Sequence, residues 1–320
     1  MVSMRKISLE DNLDWDELIK RSNTATFFQT KEWLKLWVKH WGKDLEVVIY
    51  AVFDNDELIG IGPFGISDKI NILGAPDPSV GGSLSDFGDI IIKSNREKEV
   101  WEAIIRNNPI TQLSNNPIKF DLNYIREESP SLGILRELGG KVEEMEVSPY
   151  LNLHKSWDEY LASLDRHDRH EIKRKTRKIE EENVTKVCDE INTKNIDDFY
   201  RLMIVSSEKK SEFLSSEMRA FLSEVIIQLG SKKLLTLCFL KYGSENIAAI
   251  LLLFQKDEVL LYNSGFDPKY SYLSPGLILN TYAIKQAIEN RKSRFDFLRG
   301  GEKYKYDLGG RERKLYKVTL

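Results

Sequence analysis

At 320 residues, the chain exceeds the size at which one hydrophobic core usually keeps growing, so two domains of similar size are expected. Its 41% hydrophobic and 30% charged residues are typical of a soluble globular protein. The formal net charge of −3 argues against a protein that coats DNA as a whole, although it leaves local basic patches open.

The cysteines, the histidines and the apolar runs limit which cofactors and which cellular compartment are expected. Cys188 and Cys238 lack metal-ligand spacing, and the four histidines have no paired cysteine or carboxylate motif, so no metal is expected. The longest strongly apolar run, residues 247–254, is far too short to cross a bilayer; peripheral membrane contact stays open. These features predict a cytoplasmic protein in a reducing compartment.

The first half of the chain predicts an α/β unit over residues 1–150. Trp33 and Trp37 stand at helical spacing, and with Phe28 they predict a buried helical stripe. Two strands joined by a turn at Asp54–Asp56 should follow as a hairpin. The remaining predicted elements are a loop over 74–88, a strand at 89–93, a helix at 97–107, a strand at 117–122, a helix at 131–138 and a strand at 141–148.

The second half, residues 151–320, predicts another α/β unit. Ser156, with Glu159 three residues on, begins a helix with a capping box, and a basic helix over 169–182 comes next. The later predicted elements are a strand at 185–190, helices at 195–208 and 216–229, strands at 234–242, 246–255 and 259–265, a helix ending near 290 and a strand at 295–297. Antiparallel hairpins before one strand-helix-strand crossover indicate a mixed sheet. The chain has no GxGxxG after a strand, so a dinucleotide fold is not indicated.

Several segments together carry a family resemblance. They are FFQTKEWLKLWVKHWG, LSDFGDIII, SWDEYLASLDRHDRHEIKRKTRKIEE, LLYNSGFDPKYSYLSPGLILNTYAIKQAIE and FDFLRGGEKYKYDLGG. In this order they resemble the GNAT-superfamily acetyltransferases of the cellulose-biosynthesis type, which are relatives of the Fem peptidyl transferases. The similarity spans almost the whole chain.

The resemblance implies both a fold and a reaction. The fold would be α/β with mixed sheets, as two tandem GNAT-like domains: residues 1–150 on the acceptor side and 151–320 as the acyltransferase domain, whose last strand is free to pack on the first. The donor would be acyl-CoA, most simply acetyl-CoA, with direct transfer to an amine or hydroxyl of a cell-envelope or polysaccharide precursor. In this family the segment resembling SDFGD borders the acceptor groove, which makes Asp86 an expected acceptor ligand.

The segment around Ser274-Pro275-Gly276 is the expected donor site. Proline suits the first helical turn and the preceding serine can cap it, which leaves backbone N–H groups from Gly276 onward as an anion site. In GNAT enzymes the pyrophosphate of acyl-CoA lies on such a helix start. The expected donor-binding residues are therefore Asn263, Ser264, Ser274, Gly276 and Leu277. An efficient helix start without a ligand is the plain alternative. The loop before this helix is also poorer in glycine and basic residues than in simple GNAT enzymes, which leaves the acyl carrier open.

The segment FDFLRGGEKYKYDLGG supplies the catalytic candidates. Acyl transfer needs proton removal from the acceptor and protonation of the leaving thiolate, which we assign to Asp296 and Tyr304 respectively. Arg299, Lys303 and Lys305 are expected to bind anionic groups. The plain alternative is that Asp296 pairs with Arg299 or caps a turn and that the tyrosines are packing residues.

Two basic regions point to an anionic ligand. Residues 165–180 hold seven Lys/Arg and four acidic side chains. His170, Arg174 and either Arg177 or Lys178 share one helix face that could clamp a phosphate or a sugar nucleotide. A solvated face with pairs such as Glu171 with Lys175 is the plain alternative. Residues 291–320 hold ten basic and four acidic side chains.

Two further functions remain open on the sequence. A Fem-like enzyme would take its donor from aminoacyl-tRNA, for which the basic regions are equally suitable, and tRNA is expected as a partner only in that case. A degenerate GNAT pair would only bind, as an accessory subunit of polysaccharide machinery. The sequence leaves the oligomeric state open.

Overall fold

The structure is a computed structural model that describes residues 1–75, 84–106, 118–188 and 191–320. The chain forms two compact units, Met1–Val147 with Arg313–Leu320, and Ser148–Glu312. The sequence predicted the boundary between the two domains after residue 150. In the structure the first unit includes Met1–Val147 and also the last eight residues of the chain.

The first unit combines short helices with two sheets. Its strands are β1 (Val2–Ile7), β2 (Glu46–Asp54), β3 (Glu57–Ile66), β4 (Ile70–Ile72), β5 (Ile91–Ile92), β6 (Asp121–Arg126), β7 (Lys141–Val147) and, from the end of the chain, β14 (Lys314–Thr319). Its helices are α1 (Trp15–Lys20), α2 (Lys31–Trp41), α3 (Glu97–Arg106) and α4 (Pro130–Glu137).

One sheet of this unit runs β1-β2-β3-β4, with β5 paired to β3, and the other places β14 between β6 and β7. The predicted hairpin is present, because β2 and β3 pair up to Asp54 opposite Glu57 and Asn55 takes a positive φ of 52° in the turn. The predicted aromatic stripe is also present, since Phe28 and Trp33 are fully buried and pack edge to face.

Two strand predictions in this unit were wrong in their bounds. The strand expected at 117–122 lies at Asp121–Arg126, and the one expected at 89–93 shrinks to Ile91–Ile92. The partner of β6 is β14, nearly two hundred residues later, and it pairs with Asp121–Arg126. Local apolar alternation could not supply that register, because the partner strand sets it.

The second unit is built around a six-stranded sheet. Its strands are β8 (Tyr150–Asn152), β9 (Thr185–Cys188), β10 (Leu235–Tyr242), β11 (Glu245–Gln255), β12 (Glu258–Phe266) and β13 (Arg294–Asp296). Its helices are α5 (Trp157–Ser163), α6 (Arg166–Glu181), α7 (Thr193–Ser206), α8 (Glu208–Phe213), α9 (Ser216–Ser231), α10 (Pro275–Glu289) and α11 (Lys303–Asp307).

The strand order is β8-β13-β12-β11-β10-β9. Strands β9 to β12 form antiparallel pairs, whereas β12 and β13 are parallel and are joined through α10. Only a crossover can connect parallel neighbours in this way. The predicted mixed sheet is therefore confirmed. The helix expected over 195–208 is divided into α7 and α8 at Ser207, whose extended backbone interrupts the helical run.

The two cysteines are joined in this sheet. Cys188 on β9 lies directly opposite Cys238 on β10, with the Cα atoms 4.1 Å apart, and the two form a disulfide. The sequence did not predict this bond, because cysteines fifty residues apart give no local sign of pairing. Stable disulfides are uncommon in reducing compartments, so this bond is at odds with the expected location.

Candidate active site at the end of strand β12

The parallel strands β12 and β13 separate part of the way along β12. They pair only over Glu258–Leu260 and Arg294–Asp296, and β12 continues alone on that side to Phe266. A register shift against β11 leaves Tyr262 as an extra, bulged residue just before Asn263 and Ser264. Bulges re-aim a strand and are frequent beside active sites. The end of β12 therefore has no pairing with β13 along this edge, and it lies beside the start of α10.

The start of α10 differs from the prediction in its cap. Ser274 precedes the helix in the left-handed conformation, with φ 52° and ψ 49°, and its hydroxyl makes no capping hydrogen bond. The expected serine cap is therefore wrong. The first backbone bond runs from the N–H of Ile278 to the carbonyl of Ser274, so the helix itself cannot pair the N–H groups of Gly276 and Leu277.

Gly276 lies close to the end of β12. A Cβ at this position would lie 3.3 Å from the ring of Phe266, the last residue of β12. One turn further along the same helix face, Asn280 is buried, and its Oδ1 has no hydrogen-bond partner. An unpaired buried acceptor is costly unless a ligand or water satisfies it. This face of α10 thus combines unpaired N–H groups with an unpaired carbonyl oxygen.

Lys210, on helix α8, reaches the end of β12. Its ammonium donates to the carbonyl of Ser264 and lies 3.4 Å from the hydroxyl oxygen of the same residue. Burial lowers the pKa of Lys210 to about 8, and the charge of Lys305 adds to this effect while Glu302 opposes it. An ammonium in this state can lose its proton near neutral pH. Next to it, the side chain of Asn263 turns back and accepts from the N–H of Ser264 at 2.9 Å.

Lys305 and Glu302 complete this cluster. Lys305 is only 3% exposed, and its ammonium donates to the carbonyls of Leu298, Arg299 and Gly300 at 3.2, 2.5 and 2.9 Å. Glu302 lies 2.9 Å from the same ammonium. Burial works against ionisation of Glu302, but the hydrogen bond and charge of Lys305 hold its pKa below the usual range.

These contacts correct the expected role of Lys305. Its ammonium holds the loop after β13 in shape instead of facing a ligand, because its donors are used by backbone carbonyls. Lys303, two residues earlier, is 85% exposed and pairs with Asp307 at 2.5 Å across one turn of α11. Arg299 is half-buried in the same loop.

Both catalytic candidates lie in well-packed surroundings. Asp296 is 1% exposed and accepts from the N–H of Leu298 at 2.9 Å, so it caps the turn after β13. Tyr304 is half-buried, and its ring packs edge to face on Phe297 at 6.4 Å. Burial, with a smaller contribution from the charge of Glu302, raises the pKa of Tyr304, so its hydroxyl stays protonated at neutral pH. Asp296 thus makes a turn-capping contact and Tyr304 a packing contact, and the catalytic roles of both residues stay predictions.

The basic helix α6 has the expected charges but a different grouping. Arg174 forms a bidentate pair with Glu171, with N–O distances of 2.9 and 2.8 Å. Glu171 also lies 3.7 Å from the ammonium of Lys175. His170 is 76% exposed, and Arg177 is exposed at the same surface. A shallow depression at the start of the helix is lined by Arg166, His167, Arg169, His170 and Lys173. Of the predicted trio, only His170 lies in this basic depression.

In the first unit, Asp86 is half-buried next to Ser85, whose hydroxyl oxygen accepts from the indole N–H of Trp33 at 3.0 Å. The glycines expected to shape this loop, Gly81 and Gly82, lie outside the described residues. The role of Asp86 as an acceptor ligand stays a prediction.

Comparison with known proteins supports the same region. Residues 166–306 match the family model of an acetyltransferase (GNAT) domain. This part of the chain is therefore similar to a GNAT domain. No curated protein matches the chain by sequence. The matched range runs from α6 through β13 to α11, so it contains the β12 end, the start of α10 and the Lys210 cluster.

Solved structures extend the similarity to the whole chain. A structure of FemX aligns with a TM-score of 0.70 at 12% identity, covering 99% of this chain and 96% of that one. A tandem GNAT protein from the clavulanic acid biosynthesis pathway aligns at 0.53 and 7%, covering 100% and 98%. A GNAT-family acetyltransferase from Colwellia psychrerythraea aligns at 0.55 and 12%, covering 99% of each chain. At these identities the likeness concerns the fold, and it confirms the tandem GNAT-like architecture.

Three residues at this site were missed from the sequence. Lys210 and Glu302 lie in ordinary charged stretches, EKK and GGEK, which look like solvated surface. Asn280 stands in an apolar helix, where an amide is a weak signal on its own. Only the folded chain brings them to the end of β12 and the start of α10.

The described residues also bear on metals and membranes. Within them, no group of three or more histidine, cysteine or carboxylate side chains is placed to hold a metal ion. No helix of the described ranges is both long and apolar enough to cross a membrane.

Proposed function

We propose that the protein transfers an acyl group, in the simplest case acetyl, from acyl-CoA to an amine or hydroxyl of a cell-envelope or polysaccharide precursor. The observation that carries this proposal is the separation of β12 from β13 beside the start of α10, within a GNAT domain. The opened strand edge offers backbone groups to the pantetheine arm, and the N–H groups of Gly276 and Leu277 suit the pyrophosphate.

The unpaired buried groups fit such a donor. The pantetheine arm carries amide N–H groups, and the Oδ1 of Asn280 is an acceptor without a partner. The proposed set of donor-binding residues also includes Asn263 and Ser264 near the end of β12, and Ser274 directly before α10. Lys210 adds positive charge at the end of β12.

The proposed reaction is a direct transfer. The lone pair of the acceptor nitrogen or oxygen attacks the thioester carbonyl carbon, a C–N or C–O bond forms, and the C–S bond breaks to release the CoA thiolate. We assign removal of the acceptor proton to Asp296, directly or through water, and protonation of the thiolate to Tyr304. Asp86, His170, Arg174, Arg177, Arg299 and Lys303 are the proposed acceptor contacts.

Calorimetric titration with acetyl-CoA and longer acyl-CoAs at low salt tests the donor. Saturable binding should be at least about tenfold weaker in Gly276→Trp, which fills the helix start, and in Gly276→Asp, which repels phosphate there. Gly133→Trp is the matched control, because a Cβ at that helical glycine meets nothing within 4 Å. If no acyl-CoA binds the wild-type protein, this proposal fails.

The basic depression at the start of α6 favours a second candidate, a Fem-like aminoacyl transferase that takes its donor from aminoacyl-tRNA. Its five basic residues are suited to a phosphate backbone. Binding of aminoacyl-tRNA that weakens steeply with salt, together with no binding of acyl-CoA, would select this candidate. If neither donor binds, the degenerate binding subunit becomes the leading account.

The cytoplasmic location is also a proposal, and the Cys188–Cys238 disulfide opposes it. Counting free thiols in the protein from freshly lysed, alkylated cells tests both. Two free thiols support the reducing compartment, whereas none supports an oxidising one.

A further inference from the structure

A cavity of about 700 Å³ opens on one face of the sheet of the second unit. Small-molecule sites in proteins usually have volumes of roughly 300–1,000 Å³. The cavity lies along the C-terminal half of α10 and the beginning of β10, and its lining includes none of the residues proposed above for the acyl donor. It is therefore a separate site in the same unit.

The floor of the cavity is apolar. Ile250 and Leu252 alternate along β11 and so point to the same face of the sheet, next to Val259 of β12. Ala283 and Ala287 stand four residues apart on α10 and face the cavity together. These two small side chains leave the space open, because a larger residue at either position would extend into it.

The rim of the cavity is basic. Lys186, Lys233 and Lys292 line it, and no acidic side chain does so among the described residues. The ammonium of Lys186 donates to the side-chain oxygen of Gln286 at 3.3 Å, and that of Lys292 donates to a backbone carbonyl at 3.1 Å. Both of these acceptors are neutral, so the two ammoniums keep their charge available for an anion.

We propose that this cavity binds an amphiphile with a single apolar chain and an anionic head group. The chain would lie on the floor formed by β11, β12 and α10, where burial of apolar surface favours it. The head group would lie among the three lysines. A carboxylate, as in a fatty acid, and a phosphate monoester, as in a lysolipid, share this chemistry. The proposal is independent of the acyl-transfer reaction.

Binding to the full-length protein tests the inference, with dodecanoate and dodecyl phosphate as probes and dodecanol as the uncharged probe. The two anions are used below their critical micelle concentrations, and dodecanol is used below its solubility limit. At least one anionic probe should bind saturably, and at least about tenfold more tightly than dodecanol. The tighter of the two anions identifies the head group. Equal binding of dodecanol, or no binding of either anion, overturns the proposal.

Variants distinguish the cavity from other surfaces. Ala283→Trp should fill the floor and weaken binding at least about tenfold, whereas Lys233→Glu should weaken it about fivefold with the fold intact. Lys194→Glu is the matched control, because Lys194 is exposed on α7, does not line the cavity and gives the same change in charge. Gly276→Trp should leave binding unchanged. If Lys194→Glu or Gly276→Trp weakens binding as much as Lys233→Glu, the ligand lies elsewhere and the proposal is wrong.

Discussion

Two polar clusters, one buried in the first unit and one partly buried in the second, differ in how completely their groups are paired. In the first unit, the carboxylate of Asp89 accepts from the hydroxyls of Ser129 and Ser131 at 2.5 and 2.7 Å and from the N–H of Ile90 at 2.8 Å. In the second unit, Lys305 pairs with Glu302 at 2.9 Å, and Lys210 donates to Ser264 at the end of β12, where β13 no longer pairs with that strand.

The difference separates a structural cluster from a candidate functional one. Burial raises the pKa of Asp89 to about 6, but three short hydrogen bonds satisfy its oxygens and leave little capacity for a ligand. In the second unit, two ammoniums and one carboxylate leave net positive charge, and Asn280 on α10 has a buried oxygen without a partner. Buried charge alone is therefore a weak sign of function, whereas charge with unmet partners is a stronger one.

The substitution Asp89→Ala tests this comparison and should have the largest effect on stability. The change leaves three buried donors without an acceptor, so the free energy of unfolding should fall by about 4 kcal/mol. Urea denaturation measures the loss, and acetyl-CoA titration of the folded protein should show unchanged affinity. Asp89→Asn, which keeps one acceptor oxygen, should lose less. A folded Asp89→Ala protein that no longer binds donor would show that this cluster is functional.

Lys305→Met tests whether the loop after β13 depends on a buried ammonium. Three carbonyls lose their donor, so we expect the free energy of unfolding to decrease by about 3 kcal/mol. Lys303→Met is the control two residues away, and it should change stability by less than about 0.5 kcal/mol because that ammonium is exposed. Equal effects of the two variants in urea denaturation would refute the structural role of Lys305.

Lys210 should give the protein a pH-dependent stability. Its pKa is lowered to about 8 in the folded chain and is about 10.4 when unfolded, so the unfolded chain binds this proton more tightly. The free energy of unfolding should therefore rise between about pH 8 and 10, by roughly 2 kcal/mol from this residue. Urea denaturation across this range should show the rise in the wild type but not in Lys210→Met. Identical pH profiles of the wild type and Lys210→Met would show that another group loses the proton.

Of the four substitutions that test the comparison, controls aside, Asn280→Leu should have the smallest effect on stability. Removing a buried oxygen without a partner should raise the free energy of unfolding by about 1 kcal/mol. If that oxygen accepts from the donor, the affinity for acetyl-CoA should fall at the same time. Thermal denaturation and calorimetry on one preparation measure both, and a stabilised variant with unchanged affinity would remove Asn280 from the donor site.

The sequence predicted those features that depend on neighbours along the chain. The β2–β3 hairpin, the aromatic stripe of Phe28 and Trp33, and the β12–α10–β13 crossover all follow from local periodicity and turn residues. The start of α10 was also located correctly, because proline and glycine mark it directly. The basic character of α6 could be read in the same way, although not which of its residues share a depression.

The tertiary structure decided everything that depends on partners far along the chain. The register of β6 follows from β14, and the Cys188–Cys238 disulfide follows from the pairing of β9 with β10. Lys210, on α8, reaches Ser264 only after the preceding helix α7 packs beside β12. Lys303 and Lys305 stand two residues apart in the same basic motif, yet one is exposed and the other holds three carbonyls. Composition sets the charge that a segment carries, but burial and the geometry of donors and acceptors decide what that charge does.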